Sequence, residues 1–203
     1  MNKLDLRKTA HLIVDVQRDY CSPDGALARA RGFDMKPMVE VAKRIDSFVN
    51  ATRNILKPIW LRTEESPETL APNLIWAQGK PLTLCKIGTP GYDYFVVQPR
   101  PNEKEFHKVH YCAFNNPGLE KYLKENDIDT IVYSGVIASR CVYATMVAGS
   151  ALGFKSVILA DLVENPTELQ IEKKEFMKVA GLLFAKLINS KDILELIKKV
   201  KIA

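Results

Sequence analysis

Short apolar runs alternate along this chain with stretches in which apolar residues recur every three or four positions. The run AHLIVDV at 10–16 reads as a buried strand, β-branched and apolar with one carboxylate near its end. SPDG at 22–25 is a turn signal. A helical stripe follows over 35–56, where Met38, Val41, Ala42, Ile45, Phe48 and Val49 share one face and Pro37 suits the first turn. Further strands are predicted at 59–62, 105–110, 130–133 and 155–160. Helices are predicted at 119–125 and from near Cys141 to Gly153, a natural C-terminal stop. Pro166-Thr167 with Gln170 predicts a capping box opening a helix to about Leu187. Ser190 caps a last one carrying Ile193, Leu194, Ile197 and Val200.

Between 63 and 104 the pattern lapses, with Pro67, Pro72, Pro81 and Pro90 and a GTPGY turn at 88–92. A connection of that length is a lid, a site wall or a subunit contact. Strands alternating with helices predict an α/β fold with a parallel sheet covered on both faces, in a single domain over 1–203. Ligand sites in such folds lie beyond the carboxyl ends of the strands, where the strand order reverses.

Composition narrows the function classes. Hydrophobic residues make up 47% and charged residues 26%, as in soluble globular proteins. The net charge of +5 raises nucleic acid as a partner, but the lysines are interleaved with acids, as in KKEFMK and KDILELIKK. No nucleic-acid partner is expected. VAGLLFAKLI is too short for a bilayer, and charges interrupt any N-terminal signal-type run, so no membrane partner is expected either. The four cysteines, 21, 85, 112 and 141, form no CxxC pair, which points to reduced thiols and a cytoplasmic setting.

Three residues carry candidate chemistry. The connection 135–140 delivers Cys141 to a helix N-terminus, where unpaired N–H groups and the dipole favour a thiolate. If the strands are parallel, Asp15, Lys108 and Cys141 converge at one edge of the sheet. Asp15 then accepts the thiol proton, Lys108 keeps Asp15 ionised and lowers the thiol pKa, and backbone N–H groups of Cys141 and its loop hold an oxyanion. On the residues alone, a packed core cysteine, a solvated strand-edge lysine and a loop-capping aspartate explain the same positions.

LIVDVQRDYCSPDGAL resembles the opening motif of the isochorismatase-like cysteine hydrolases, the superfamily of nicotinamidases, N-carbamoylsarcosine amidases, and ureidoacrylate and biuret hydrolases. HKVHYCAF is similar to that family's lysine segment and GVIASRCV to its nucleophile segment; GTPGY and the AD after KSVILA also fall in place. The resemblance implies a three-layer α/β/α fold with a central mostly parallel sheet and an Asp15–Lys108–Cys141 triad. It also implies a cis peptide at Val136–Ile137 that aims the Ile137 N–H, with that of Cys141, into an oxyanion hole. Family nicotinamidases bind a metal through Asp-x-His and a further His. Here LRTEESPETL has no histidine, and the chain holds only His11, His107 and His110, so no metal or cofactor is expected.

Family members that cleave a vinyl ether lack the cysteine, so Cys141 implies C–N hydrolysis. The expected enzyme is a metal-independent cysteine amidohydrolase acting on a small amide or carbamoyl/ureido compound and releasing ammonia. A ring-amide deamidase and a catalytically silent scaffold of the same fold are the alternatives. Substrate contacts are assigned to Gln17, Tyr20, Arg62, Tyr111, Phe114 and Arg140. Tying the loop is the leading reading for Gln17 and Asp19, ahead of a substrate role; Tyr20 and Phe114 equally serve to pack the core or an interface, and Arg140 to reach a neighbouring subunit. The family resemblance implies a homo-oligomer, dimer or tetramer.

Overall fold

A computed structural model describes residues 4–66, 68–69, 72–79 and 82–202. Pro67 and Pro81 lie outside the described residues. Six strands, β1 (Thr9–Val14), β2 (Lys57–Thr63), β3 (Lys104–Lys108), β4 (Thr130–Val136), β5 (Lys155–Glu164) and β6 (Ala185–Ile188), form one sheet in the order β3-β2-β1-β4-β5-β6. Every pairing is parallel. The chain winds outward from β1 to β3, then returns to place β4 on the other side of β1. The reversal between β1 and β4 is where a parallel α/β sheet opens a crevice at its carboxyl edge.

All six residues of β1 are buried, as a central strand covered on both faces requires. Alternation divides them between two cores. Ile13 packs with α3 (Lys36–Thr52) and α8 (Ser190–Ile202); Leu12 and Val14 pack against α5 (Pro117–Glu125), α6 (Tyr143–Ala151) and α7 (Gln170–Leu183). Met38, Val41, Ala42, Ile45, Phe48 and Val49 form the buried face of α3 as their spacing predicts. Each of the larger ones contributes roughly 1.5–3 kcal/mol of transfer free energy. Two short helices, α1 (Arg18–Cys21) and α2 (Ala26–Arg31), follow β1, and α4 (Pro72–Gln78) lies within the predicted irregular stretch.

Several boundaries differ from the expectation. β1 stops at Val14, because Asp15 adopts a left-handed backbone with φ of 50°. β3 ends at Lys108, so His110 lies beyond it. The helix predicted to Leu187 ends at Leu183, and 185–188 pair with β5 as an edge strand instead. The capping box does not form: the Thr167 hydroxyl bonds Asp34, and the Gln170 amide donates to the Glu164 carboxylate and the Asn165 carbonyl.

Candidate active site

β1 and β4 run side by side, with Val14 opposite Gly135, so their exits lie together. At the first exit the left-handed turn points the Asp15 side chain into the sheet edge. The Asp15 N–H donates to the Leu61 carbonyl (3.0 Å), and its own carbonyl accepts from Gln17 (2.7 Å). Aspartate tolerates this conformation better than most residues. Asp15 is wholly buried.

Lys108 starts two strands away, yet its stem crosses the exit of β2, where it is in register with Thr63. Its Nζ lies 2.7 Å from Asp15 Oδ2, donates to Thr63 Oγ1 and to the His110 carbonyl (2.8 Å each), and reaches Cys141 Sγ at 3.5 Å. Burial works against the ammonium, but the Asp15 carboxylate and the Cys141 sulfur outweigh it and hold the lysine pKa above its ordinary value. Both Asp15 carboxylate oxygens are buried, and the Cys141 thiol is within hydrogen-bonding reach of the carboxylate.

Cys141 lies in a wide π-type turn, Ala138–Val142, that runs directly into α6. In that turn the Arg140 and Val142 N–H groups both donate to the Ile137 carbonyl (3.0 and 3.3 Å). The peptide before it, Val136–Ile137, is cis. Asn165, fully buried at the end of β5, braces the turn: its Oδ1 accepts from the Ser139 N–H (3.2 Å) and its Nδ2 donates to Ser139 Oγ (2.9 Å). Burial pushes the Cys141 thiol pKa up, Lys108 pulls it down, and Asp15 pushes it up again, with a net rise.

The other predicted contacts separate into groups. Tyr20 is buried near Cys141 and Asp15, and burial first, then the neighbouring Cys85 and Cys141, raise its phenol pKa. Gln17 ties the loop: its Oε1 accepts from the Thr63 N–H (2.8 Å), and its Nε2 donates to the Thr63 and Tyr92 carbonyls (2.9 and 3.0 Å), so its amide is committed to backbone and not to a substrate. Asp19 likewise ties the loops, accepting from the Ala26 and Cys85 N–H groups at 2.8 Å each. Arg62 is held elsewhere, over the Tyr92 and Tyr94 rings (3.9 and 4.5 Å) and 3.6 Å from Glu105. Phe114 takes the packing role and not the substrate contact assigned to it. It stacks on Phe154 and touches Gly149 at the far end of α6, about two turns from Cys141. Tyr111 and Arg140 both line a cavity together with Ser139 of the Ala138–Val142 turn.

Sequence reasoning missed Thr63, Asn165 and Glu65. Glu65 accepts from the Leu84 N–H (2.9 Å), and burial raises its pKa. The signals available were only a polar residue closing each of two apolar strands, as in WLRT and LVEN. Among the described residues no cluster of three His, Cys, Asp or Glu side chains is arranged to hold a metal ion. Beside Lys108, His107 has Glu64 and Glu105 on opposite ring nitrogens (2.7 Å each), so these carboxylates do not converge on one point. The described residues here do not fit a metal.

The isochorismatase domain model matches residues 9–192. A ureidoacrylate amidohydrolase RutB of Methylobacterium radiotolerans is 29% identical over 177 residues, 78% of this chain and 67% of that one. Its counterpart in Caulobacter segnis is 27% identical over 193 residues, 87% of this chain and 80% of that one. Among solved structures, a cysteine hydrolase from Pseudomonas syringae pv. phaseolicola superposes with a TM-score of 0.82 at 17% identity, covering 98% of this chain and 99% of the other. The zinc complex of Pyrococcus horikoshii pyrazinamidase gives 0.73 at 21% identity, covering 90% and 99%. At those identities the structural likeness shows the fold, and the domain match shows the family. The chain belongs to the isochorismatase domain family and is a hydrolase of that family.

Proposed function

We propose that this protein is a cysteine amidohydrolase that cleaves a C–N bond of a small linear amide or ureido compound through a thioester on Cys141. One observation carries the reading: a single buried ammonium, Lys108 Nζ, stands 2.7 Å from Asp15 Oδ2 and 3.5 Å from Cys141 Sγ. The enzyme acts on carbon–nitrogen bonds other than peptide bonds, as the names of the curated relatives support.

With substrate in place, Asp15 takes the thiol proton and the sulfur attacks the carbonyl carbon, forming a C–S bond. The carbonyl oxygen becomes an oxyanion facing the Ile137 and Cys141 N–H groups. The C–N bond breaks as Asp15 returns the proton to the leaving nitrogen, which departs as ammonia when it is a terminal NH2. Asp15 then deprotonates a water that attacks the thioester, the C–S bond breaks, and Cys141 regains its proton. Lys108 stays charged throughout and keeps Asp15 a base. Tyr20 supplies a buried wall of the pocket.

The reading includes a single domain, a cytoplasmic setting suited to four unpaired cysteines, and a homo-oligomer. Supporting the last, Ile171, Leu182 and Leu183 stand 79%, 73% and 71% exposed on α7. Among the described residues no helix is long and apolar enough to cross a membrane.

Ammonia release measured against ureidoacrylate, carbamoylsarcosine, biuret, maleamate and nicotinamide tests the proposal. A linear amide or ureido compound should be turned over, and Cys141→Ala should lose at least about 1,000-fold in rate while remaining folded. Preference for nicotinamide would identify a ring-amide deamidase instead. No turnover of any amide, with Cys141 alkylating no faster than Cys21 or Cys112, would leave only a silent scaffold.

A further inference from the structure

We infer that Asn165 is a positioning residue for catalysis, a remote cap from the end of β5 that holds the nucleophile turn in shape and so fixes the aim of Cys141. This deepens the amidohydrolase reading and rests on it. A turn that opens a helix leaves its first N–H groups without partners, and an Asn, Asp, Ser or Thr just before it ordinarily supplies an acceptor. The residue in that place here is Ile137, whose side chain has no acceptor to offer. Asn165 supplies one from another strand: its Oδ1 accepts from the N–H of Ser139, the second residue of the turn, at 3.2 Å. That second N–H is one a local cap would serve.

The neighbouring N–H groups of Arg140 and Val142 both turn back to the Ile137 carbonyl. The proposed oxyanion donor, the Cys141 N–H, lies between them in sequence. Its direction, and that of the sulfur, therefore follows the shape of a turn that Asn165 closes.

Asn165 can set that shape because its own polar groups are fixed. Its Nδ2 donates to Ser139 Oγ (2.9 Å) and to the Leu169 carbonyl (2.8 Å). A carbonyl only accepts and a backbone N–H only donates, so Leu169 and Ser139 together dictate which way the amide faces. The Asn165 N–H donates to Glu164 Oε1 (3.0 Å), and its carbonyl accepts from Gln170 Nε2 (2.8 Å). Glu164 is held in turn by Lys173 at 2.7 Å. Asn165 is wholly buried, so solvent does not replace a contact that is lost. The Ser139 hydroxyl has a second anchor, donating to Glu172 Oε2 at 3.1 Å, whereas the acceptor of the Ser139 N–H is Asn165.

Three variants separate the cap from the hydroxyl contacts. Asn165→Ala removes the cap, Asn165→Ser leaves a hydroxyl that stops one bond short, and Ser139→Ala removes the hydroxyl while keeping the backbone N–H. Ammonia release is followed from whichever of ureidoacrylate, carbamoylsarcosine, biuret and maleamate the wild-type enzyme turns over fastest. Asn165→Ala should lower kcat about 30-fold or more with KM within about 3-fold, because misaim of the sulfur and the oxyanion donor acts on the chemical step. Ser139→Ala should keep kcat within about 3-fold of wild type. Amide hydrogen exchange over 137–143 should speed up about 10-fold in Asn165→Ala and stay unchanged in Ser139→Ala. Circular dichroism checks folding at the assay temperature; if the alanine variant is unfolded, Asn165→Ser takes its place with an expected loss in kcat of at least about 10-fold. A folded Asn165 variant with wild-type kcat, a loss confined to KM, an equal loss in Ser139→Ala, or unchanged exchange over the turn overturns the inference. Exchange needs no substrate, so it decides the matter even where the wild-type enzyme releases no ammonia from any amide, the separate result on which the amidohydrolase reading fails.

Discussion

Lys108 Nζ stands 2.7 Å from Asp15 Oδ2, although the two side chains leave strands separated by a third. Only the long lysine stem, passing over Thr63, bridges that gap. Both groups are essentially inaccessible to water, with side-chain exposures of 1% and 0%. Each charge therefore depends on the other, because an unpaired buried ion costs several kcal/mol. Asp15→Asn and Lys108→Met should each abolish turnover and destabilise the fold by about 3–5 kcal/mol. The double variant should recover at least about 1 kcal/mol of the summed loss. Urea unfolding of the three variants measures this, and strictly additive losses would show that the pair is uncoupled.

Thr63 is a positioning residue in the same assembly. Its hydroxyl accepts from Lys108 Nζ at 2.8 Å, while its backbone is held by Gln17. Thr63→Val keeps the shape and removes the acceptor. The expected result is a fall in kcat of about 10-fold with KM little changed, and a stability cost of about 1–3 kcal/mol. Thr63→Ser restores the acceptor and should restore most of kcat. A serine variant no better than the valine variant would assign the effect to packing.

Much of this arrangement is legible in the residues. An aspartate closing an otherwise apolar strand is conspicuous because it needs a partner, and the α3 stripe fixes which face of that helix is covered. Other features depend on tertiary context. AKLI at 185–188 suits a helix as well as a strand, and it becomes β6 because β5 offers an unpaired edge there. Thr167 is drawn from the capping box by Asp34, more than a hundred residues away. The protonation of Cys141 turns on how deeply the fold buries it, which no local spacing encodes. Phe114 flanks the lysine motif in sequence, yet the short turn Ala113–Asn115 directs it to Phe154.

Gly135 offers a test of how closely β1 and β4 must approach. Its φ is +116°, and a Cβ there would stand 2.1 Å from the Val14 carbonyl oxygen, which is backbone and cannot swing aside. Gly135→Ala should therefore cost about 3 kcal/mol or more. Because Gly135 opens the connection to Cys141, the variant should also lose activity. A variant with wild-type unfolding midpoint and rate would show that the strands can separate at little cost.

His11 sets how the fold responds to acid. It is buried on β1, with Nε2 2.7 Å from Ser134 Oγ and its ring edge-on to Phe48. Burial lowers its pKa from 6.5 to about 3. The unfolded chain takes up the proton as pH falls through 6.5, whereas the folded chain stays neutral until about 3. Stability from the neutral ring is thus present above pH 6.5 and drains away as pH falls toward 3. At about 1.36 kcal/mol per pH unit, the full loss is roughly 5 kcal/mol. His11→Gln keeps a polar partner for Ser134 and has no proton to gain. Its unfolding free energy should therefore fall less steeply than wild type between pH 6.5 and 3, even if it starts lower at pH 7. Parallel curves for the two proteins would mean that other groups govern the acid response, and that His11 takes up its proton without leaving the fold.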